Sequence, residues 1–183
     1  RHDPQLGYTL KPGACRHTAT EFSNEYRINR LGLRDDEASL DQPEVIVLGD
    51  SFAMGWGVEQ EDTFARVLAR RSGLKVLNAA VSSYGTAREM LLLGRLDTSR
   101  LRYLVIQYCE NDEEENRAFL LSGNTLKTMD RDTYQRLVAE HEASGGYYPG
   151  KYLAMKLEKK WREFGQSKGK PRTPGPANAL AGR

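Results

Sequence analysis

Residues 44–51, EVIVLGDS, decide the fold that this sequence predicts. The run before the glycine is short, continuous and rich in β-branched residues, which is typical of a parallel strand buried on both faces. A helical pattern follows at 61–73, a second apolar strand at 75–79, a second helix at 86–96 and a third strand at 102–109. These β-then-α units predict an α/β fold in which a parallel sheet carries helices on both faces.

The spacing of apolar residues indicates which side of each helix faces the sheet. The first helix is expected to end at Gly73, a residue that readily adopts the left-handed conformation of a helix end. The third strand, 102–109, is expected to be as buried as the first. We expect the inward-facing residues to be Phe64, Val67 and Leu68 in the first helix and Met90, Leu91 and Leu93 in the second.

The rest of the chain is less regular. Residues 1–43 carry several glycine and proline breakers, and the alternation in TATEFSNEYRIN (18–29) predicts an N-terminal hairpin or flap. The main domain is expected to span 44–165, with a helical insertion after Asp112. The tail, 166–183, is rich in Gly, Pro and Lys, which predicts disorder. No fourth apolar strand run is visible, so the sheet is expected to be incomplete at the C-terminus.

The composition narrows the possible partners. The 183 residues contain 27 basic and 25 acidic side chains, and a net charge of +2 does not indicate nucleic-acid binding. No apolar run approaches the ~18 residues of a membrane span, although an anchor upstream of residue 1 stays open. Two cysteines, Cys15 and Cys109, are too few for a disulfide framework or a metal cage. We expect Cys109 to be a buried free thiol, and the alternative is a single disulfide between Cys15 and Cys109. We expect no metal and no cofactor, and the compartment and oligomeric state stay open.

Three loops follow the three predicted strands and are expected to meet, because the carboxyl ends of parallel strands share one edge of the sheet. They are GDSF (49–52), NAAVSSYGT (78–86) and CENDEEEN (109–116). In the first loop, Gly49 permits a sharp turn and Asp50 can accept helix amides. Ser51 then stands where backbone amides favour negative charge.

The other two loops add polar groups at the same edge. Asn78 ends the second strand, and the small residues after it allow the backbone to approach a ligand. The Asn111 amide can donate to an oxyanion, and Asp112 can fix its loop by accepting amide hydrogens. Taken alone, each loop also fits an ordinary turn, a helix cap or an acidic helix start.

Taken together, the order and spacing of these loops resemble the SGNH, or GDSL-type, hydrolases. The resemblance covers residues 3–112 and includes DPQLGYTLKPG (3–13) and YRINRLGLRDDE (26–37). These two segments look like the flap before the serine strand in a bacterial, often extracytoplasmic or membrane-anchored, branch of the family. The resemblance implies a flavodoxin-like three-layer α/β/α sandwich. It also implies hydrolysis or transfer of an acyl group on a small-molecule or carbohydrate ester.

The same resemblance implies a role for each matching residue. Ser51 is expected to be the nucleophile. The backbone amides of Ser51 and Ser83 and the side chain of Asn111 are expected to form the oxyanion hole. Gly49, Asp50 and Asp112 are expected to support the site. Ser83 departs from the family, which usually has glycine there.

The general base is missing from the pattern. The family supplies an Asp-x-x-His segment late in the chain, and none of His2, His17 and His141 has that spacing. A serine hydroxyl is a weak nucleophile without a base. Either the Asp-His segment lies beyond residue 183, which the missing strands favour, or the chain is a degenerate carbohydrate- or acyl-binding module.

Two further interpretations concern the first loop. A flavodoxin-like nucleotide binder could use GDSF as a phosphate loop, but the glycine-rich fingerprint of such loops is absent. Trp56, in the segment AMGWGV (53–58), either stacks on a sugar or forms an aromatic wall of the core, and we expect the second.

Overall fold

A computed structural model describes residues 1–19, 21–110, 112–126 and 128–143 of the chain. The strands of the described residues are β1 (His2–Asp3), β2 (Gly7–Tyr8), β3 (Gly13–Thr18), β4 (Ser23–Ile28), β5 (Val45–Leu48), β6 (Val76–Asn78) and β7 (Tyr103–Ile106). The α-helices are α1 (Ser51–Met54), α2 (Phe64–Ser72), α3 (Thr86–Leu93), α4 (Asp112–Leu121) and α5 (Arg131–Ala143), and short 3-10 turns lie at Glu37–Leu40 and Gln60–Asp62.

The central sheet is parallel, and its strand order is β6–β5–β7. Val47 of β5 pairs with Asn78 of β6 on one side and with Val105 of β7 on the other. β5 is therefore the central strand, and the loops after all three strands emerge at the same edge of the sheet. The prediction of an α/β fold with a parallel sheet is confirmed at this level.

β5 is buried along its whole length because each of its faces packs against a separate apolar cluster. Successive side chains of a strand point to opposite faces of the sheet. On one face lies a cluster with Ile46, Leu48, Leu77 and Leu92 of α3; on the other lies a cluster with Val45, Val47, Met54 of α1 and Ala65 of α2. The buried run at 45–48 thus contributes side chains to both apolar clusters, one on each face of the sheet.

The inward faces of α2 and α3 differ from the prediction. α2 ends at Gly73 as expected, in the left-handed conformation with φ of 70°. Its buried side is centred on Ala65, whereas Phe64 is 51% exposed. In α3, Met90 and Leu91 are exposed, and the buried positions are Glu89 and Leu92. Leu68 of α2 and Leu93 of α3 pack against the core as predicted, whereas Phe64, Met90 and Leu91 are exposed, so the prediction is correct only in part. In α3 the buried Glu89 is an acidic core-facing residue, which a search for apolar periodicity does not recognise.

β7 is the other departure. The strand forms as predicted, but Tyr103, Leu104 and Ile106 are exposed rather than buried. In the described part of the chain, β7 pairs only with β5, so it forms an edge of the sheet.

The N-terminal region contributes directly to the core. β3 and β4 form an antiparallel hairpin whose first strand begins earlier than the alternation in 18–29 indicated. Leu6 and Leu33 are fully buried in the cluster that contains Ile46, and Tyr26 lies in the cluster that contains Val47. Leu6, Tyr26 and Leu33 therefore pack into the core, whereas most of β3 is exposed, and the predicted hairpin is the pair β3–β4.

α4 and α5 form where helices were expected after Asp112. The rest of the helical insertion predicted after Asp112, from 144 to 165, and the tail predicted at 166–183 lie outside the described residues. Among the described helices, none combines the length and the hydropathy needed to cross a membrane.

Candidate active site

The turn between β5 and α1 presents Ser51. Gly49 has φ of 153°, and a Cβ atom at this position would lie 2.7 Å from the Gln107 Oε1 atom and 2.7 Å from the Ala53 Cβ atom. Only glycine fits there without displacing a neighbour. Asp50 caps the single turn of α1, because its Oδ1 atom accepts the amide hydrogen of Phe52 at 2.9 Å. Both residues therefore shape the turn that carries the serine.

Ser51 itself is half-buried at the start of α1. Its carbonyl oxygen accepts the amide hydrogens of Gly55 at 3.2 Å and of Trp56 at 2.9 Å, so its backbone is anchored. Among the described residues, neither its backbone amide nor its hydroxyl has a hydrogen-bond partner. The turn thus leaves one donor and one nucleophilic oxygen free for a ligand.

Gln107, just after β7, holds the serine turn from the side. Its Oε1 atom accepts the amide hydrogens of Asp50 and Ala53, each at 3.2 Å. Its Nε2 atom donates to the Cys109 Sγ atom at 2.8 Å. Sequence reasoning missed this residue, although an amide side chain directly after the apolar run LVI (104–106) was a signal that could have identified it.

The second loop lies beside the first. The Val81 amide donates to the Gly49 carbonyl at 3.0 Å, which joins the segment after β6 to the end of β5. Asn78 is buried and caps its own loop, because its Oδ1 atom accepts the Ala80 amide hydrogen at 3.2 Å. Ser83 is exposed and adopts φ of 63°. This left-handed conformation costs a serine more than a glycine.

The third loop is only partly described. Asn111, the expected side-chain donor of the oxyanion hole, lies outside the described residues. Asp112 is fully buried at the start of α4, and its Oδ2 atom accepts the Cys109 amide hydrogen at 3.2 Å and the Thr86 hydroxyl hydrogen at 3.3 Å. Asp112 therefore connects the loop after β7 to the beginning of α3.

A buried acid lies behind these loops. Glu89 of α3 is fully buried, and neither of its carboxylate oxygens has a hydrogen-bond partner among the described residues. Burial, with a smaller contribution from the nearby Asp112, Asp50 and Glu115 carboxyl groups, raises the pKa of Glu89 to about 8. Glu89 is therefore mostly a neutral acid at pH 7.

Two N-terminal residues also hold the site together, and sequence reasoning assigned neither a role. Arg34 is 1% exposed, and its guanidinium donates to the carbonyl oxygens of Gly55 and, at 2.7 Å, of Val58. It also stacks on the Tyr26 ring at 3.5 Å. The next residue, Asp35, accepts the backbone amide hydrogen of Asn78 at 2.8 Å. The segment at 34–35 thus fixes both the loop after Ser51 and the end of β6.

The histidines do not supply a base among the described residues. The His2 Nε2 atom lies 3.1 Å from the Met129 carbonyl oxygen. The His17 ring packs against Trp56 at 4.5 Å, and its Nε2 atom has no hydrogen-bond partner among the described residues. The side chain of His141 lies outside the described residues. No described imidazole is therefore hydrogen-bonded to the Ser51 hydroxyl.

A cavity of about 440 Å³ opens beside the serine. Trp56 lines it and is 50% exposed, so the prediction that this residue forms a wall of the core was wrong. The cause is the hairpin: the rings of His17 and Phe22 pack against the edge of Trp56 and hold it at the surface. The residues lining the cavity are Ser51, Phe52, Gly55, Trp56, Val58, Asp62 and Phe64.

The cysteines and the acidic groups do not form further sites in the described part of the chain. Cys15 and Cys109 are both free thiols, so they do not form a disulfide with each other. Cys109 is half-buried. The described residues contain no group of three or more His, Cys, Asp or Glu side chains arranged to hold a metal ion.

The chain matches no protein-family model, and comparisons with curated proteins and with solved structures found no match either.

Proposed function

We propose that this chain is a serine-dependent ester hydrolase or acyltransferase of the SGNH type, with Ser51 as its nucleophile. The single observation that carries the proposal is the state of Ser51. Its backbone is anchored by Gly55 and Trp56, while its amide and hydroxyl have no partner among the described residues. A free amide beside a free hydroxyl is what acyl transfer requires, because the amide can stabilise the oxyanion that forms when the hydroxyl attacks a carbonyl.

The sheet topology supports the same proposal. The order β6–β5–β7 follows the 2-1-3 pattern with which flavodoxin-like sheets begin, and their ligands bind where the strand order reverses. In this chain that point lies between the carboxyl ends of β5 and β7, where Ser51 and Gln107 are found. A ligand-binding crevice and a nucleophile are therefore expected at the same place.

The proposed reaction begins when the Ser51 hydroxyl attacks the ester carbonyl and the alcohol leaves. The Ser51 amide, the Ser83 amide and the Asn111 side chain are the proposed donors to the oxyanion. The acyl group then passes from Ser51 to water in a hydrolase or to another hydroxyl in a transferase. A base must accept the Ser51 proton in the first step, and it must come from outside the described side chains.

A second function, ester or carbohydrate binding without turnover, is favoured by one observation: no described imidazole contacts the Ser51 hydroxyl. Labelling with a fluorophosphonate probe separates the two functions because the probe reacts only with an activated serine. We expect the probe to label the unaltered chain and the Ser99→Ala variant, in which an exposed serine is removed as a control. We expect no label on the Ser51→Ala variant.

Turnover of p-nitrophenyl acetate completes the test. Rates that fall to background in Ser51→Ala but not in Ser99→Ala support the hydrolase. Single His17→Gln and His141→Gln variants then test whether either imidazole is the base, since the essential one would abolish turnover. Equal labelling of Ser51→Ala and the unaltered chain would show that Ser51 is not the nucleophile.

A further inference from the structure

The cavity beside Ser51 collects exposed apolar side chains. Phe52 is 77% exposed, and Trp56, Val58 and Phe64 are also exposed. They come from three successive pieces of chain, namely α1, the loop after it and the start of α2, and all four line one cavity. Exposed apolar groups that converge on a concavity mark a binding surface, because scattered ones would not enclose a shared volume. The volume of about 440 Å³ lies within the range of small-molecule sites.

Ring contacts and the buried Arg34 hold one wall of this cavity, the segment around Trp56, in place. The Trp56 ring meets the ring of His17 at 4.5 Å and that of Phe22 at 6.0 Å, both edge-on. The backbone on either side of Trp56 is fixed by Arg34, which donates to the Gly55 and Val58 carbonyl oxygens. Because this segment is already held in place, a ligand that contacts Trp56 is bound with a smaller ordering cost.

The lining also limits the chemistry of the ligand. Among the described residues that line it, the side chains with polar groups besides the Trp56 indole are Ser51, the candidate nucleophile, and Asp62, an exposed acid. A sugar would leave most of its hydroxyl groups unpaired there, and that is costly in a site built of apolar side chains. None of the described lining residues is cationic, and Asp62 would repel a carboxylate.

We propose that this cavity binds an uncharged hydrocarbon group of the substrate ester, of more carbons than an acetyl group, next to the carbonyl that Ser51 attacks. This inference rests on the proposed function, and it names the class of ester that the enzyme would take as substrate. The hydrocarbon belongs either to the acyl group or to the alcohol, and the chemistry of recognition is the same in both cases.

Two ester series distinguish these sources. In the first, p-nitrophenyl acetate, butyrate, hexanoate and succinate vary the acyl group. In the second, methyl, butyl and hexyl acetates vary the alcohol. In the series whose varied group occupies the cavity, we expect kcat/KM to rise about two- to fourfold for each added methylene, since burying one methylene contributes that factor. Succinate is expected to react more slowly than butyrate.

Two variants connect the preference to the cavity. Phe64→Ala is expected to lower kcat/KM about tenfold for the longest ester of the preferred series, and less than twofold for its shortest. Met90→Ala removes an exposed apolar side chain on α3 and is expected to leave both values unchanged. Active protein with equal rates along both series, or an unaltered preference in Phe64→Ala, would overturn the proposal while leaving the serine hydrolase intact.

A binding measurement separates this proposal from the proposed function. Titration calorimetry on the Ser51→Ala variant measures the affinity for the p-nitroanilides of hexanoic and acetic acids and needs no turnover. If the alcohol series is the preferred one, N-hexylacetamide replaces the hexanoic anilide. Tighter binding of the longer amide, weakened by adding Phe64→Ala, supports the cavity even if no ester is cleaved. Equal binding of the long and short amides overturns the proposal whether or not Ser51 is a nucleophile.

Discussion

Replacing Glu89 with glutamine is expected to make the free energy of unfolding of the chain depend less on pH. The carboxyl group is fully buried and unpaired among the described residues, and its pKa is about 8 against an ordinary value of 4.5. Between these two values the folded chain keeps the proton that the unfolded chain releases. The free energy of unfolding therefore falls as the pH rises from 4.5 and levels off above pH 8.

The size of the effect follows from the two pKa values. A difference of about 3.5 between them corresponds to about 5 kcal/mol over the full range, at 1.36 kcal/mol for each pKa unit. Roughly 4 kcal/mol of this is lost between pH 5 and pH 9. Glutamine has nearly the same shape and does not titrate, so Glu89→Gln loses this contribution. The variant is expected to be more stable than the unaltered chain at pH 9 and similar to it at pH 5.

Urea unfolding followed by circular dichroism at pH 5, 7 and 9 measures this difference. The other titrating groups are common to both proteins and largely cancel when the two curves are compared. Glu140→Gln is the matched control, because it removes one carboxylate from an exposed position of α5. If Glu89→Gln loses as much stability between pH 5 and pH 9 as the unaltered chain does, Glu89 does not titrate as a buried acid and the argument fails.

Four other substitutions test the scaffold of the site. Gly49→Ala is expected to lower the free energy of unfolding by about 3 kcal/mol, because its Cβ atom would overlap its neighbours; an unchanged urea midpoint would contradict the packing. Gln107→Leu leaves two turn amides unpaired and is expected to cost about 2 kcal/mol and to slow fluorophosphonate labelling of Ser51. Ser83→Gly removes the strain of a serine in the left-handed conformation, so the free energy of unfolding is expected to rise by about 0.5 kcal/mol and the melting temperature with it. A lower melting temperature would show that Ser83 is not strained. Arg34→Met is expected to cost about 3 kcal/mol and to reduce turnover of the preferred long esters more than of acetate; equal losses for both would show that Arg34 does not shape the cavity.

The parts of the fold that follow from local chemistry were predictable. A β-branched run made β5 a buried strand, a glycine ended α2 in the left-handed conformation, and Asp50 capped the helix that it precedes. Each of these depends on residues adjacent in the chain. The positions of Gly49, Asp50 and Ser51 on one turn could therefore be predicted before any tertiary contact was known.

The parts that depend on distant contacts were not. Glu89 is a core-facing residue of α3 together with Leu92, and its burial depends on tertiary packing that the spacing of apolar residues does not reveal. Whether β7 is buried or exposed depends on which other elements pack on its faces, and the apolar sequence of the strand does not determine this. The hydrogen bonds from Arg34 to the loop after Ser51, and from the serine turn to Gln107, join segments 21 or more residues apart, so no spacing rule predicts them.

The way in which the serine turn is held favours a site over an ordinary strand end. A serine that served only as a helix cap would use its hydroxyl to accept a backbone amide hydrogen. In this turn Asp50 accepts that hydrogen, and Gln107 accepts two more. The Ser51 carbonyl oxygen accepts the amide hydrogens of Gly55 and Trp56, and the Asp50 carbonyl oxygen accepts that of Met54. Neighbours thus satisfy these hydrogen bonds of the turn, while the amide and hydroxyl of Ser51, which lines the apolar cavity, have no partner in the part of the chain that the structure describes. That combination is expected of a preorganised oxyanion donor and a nucleophile, and a capping residue has no need of it.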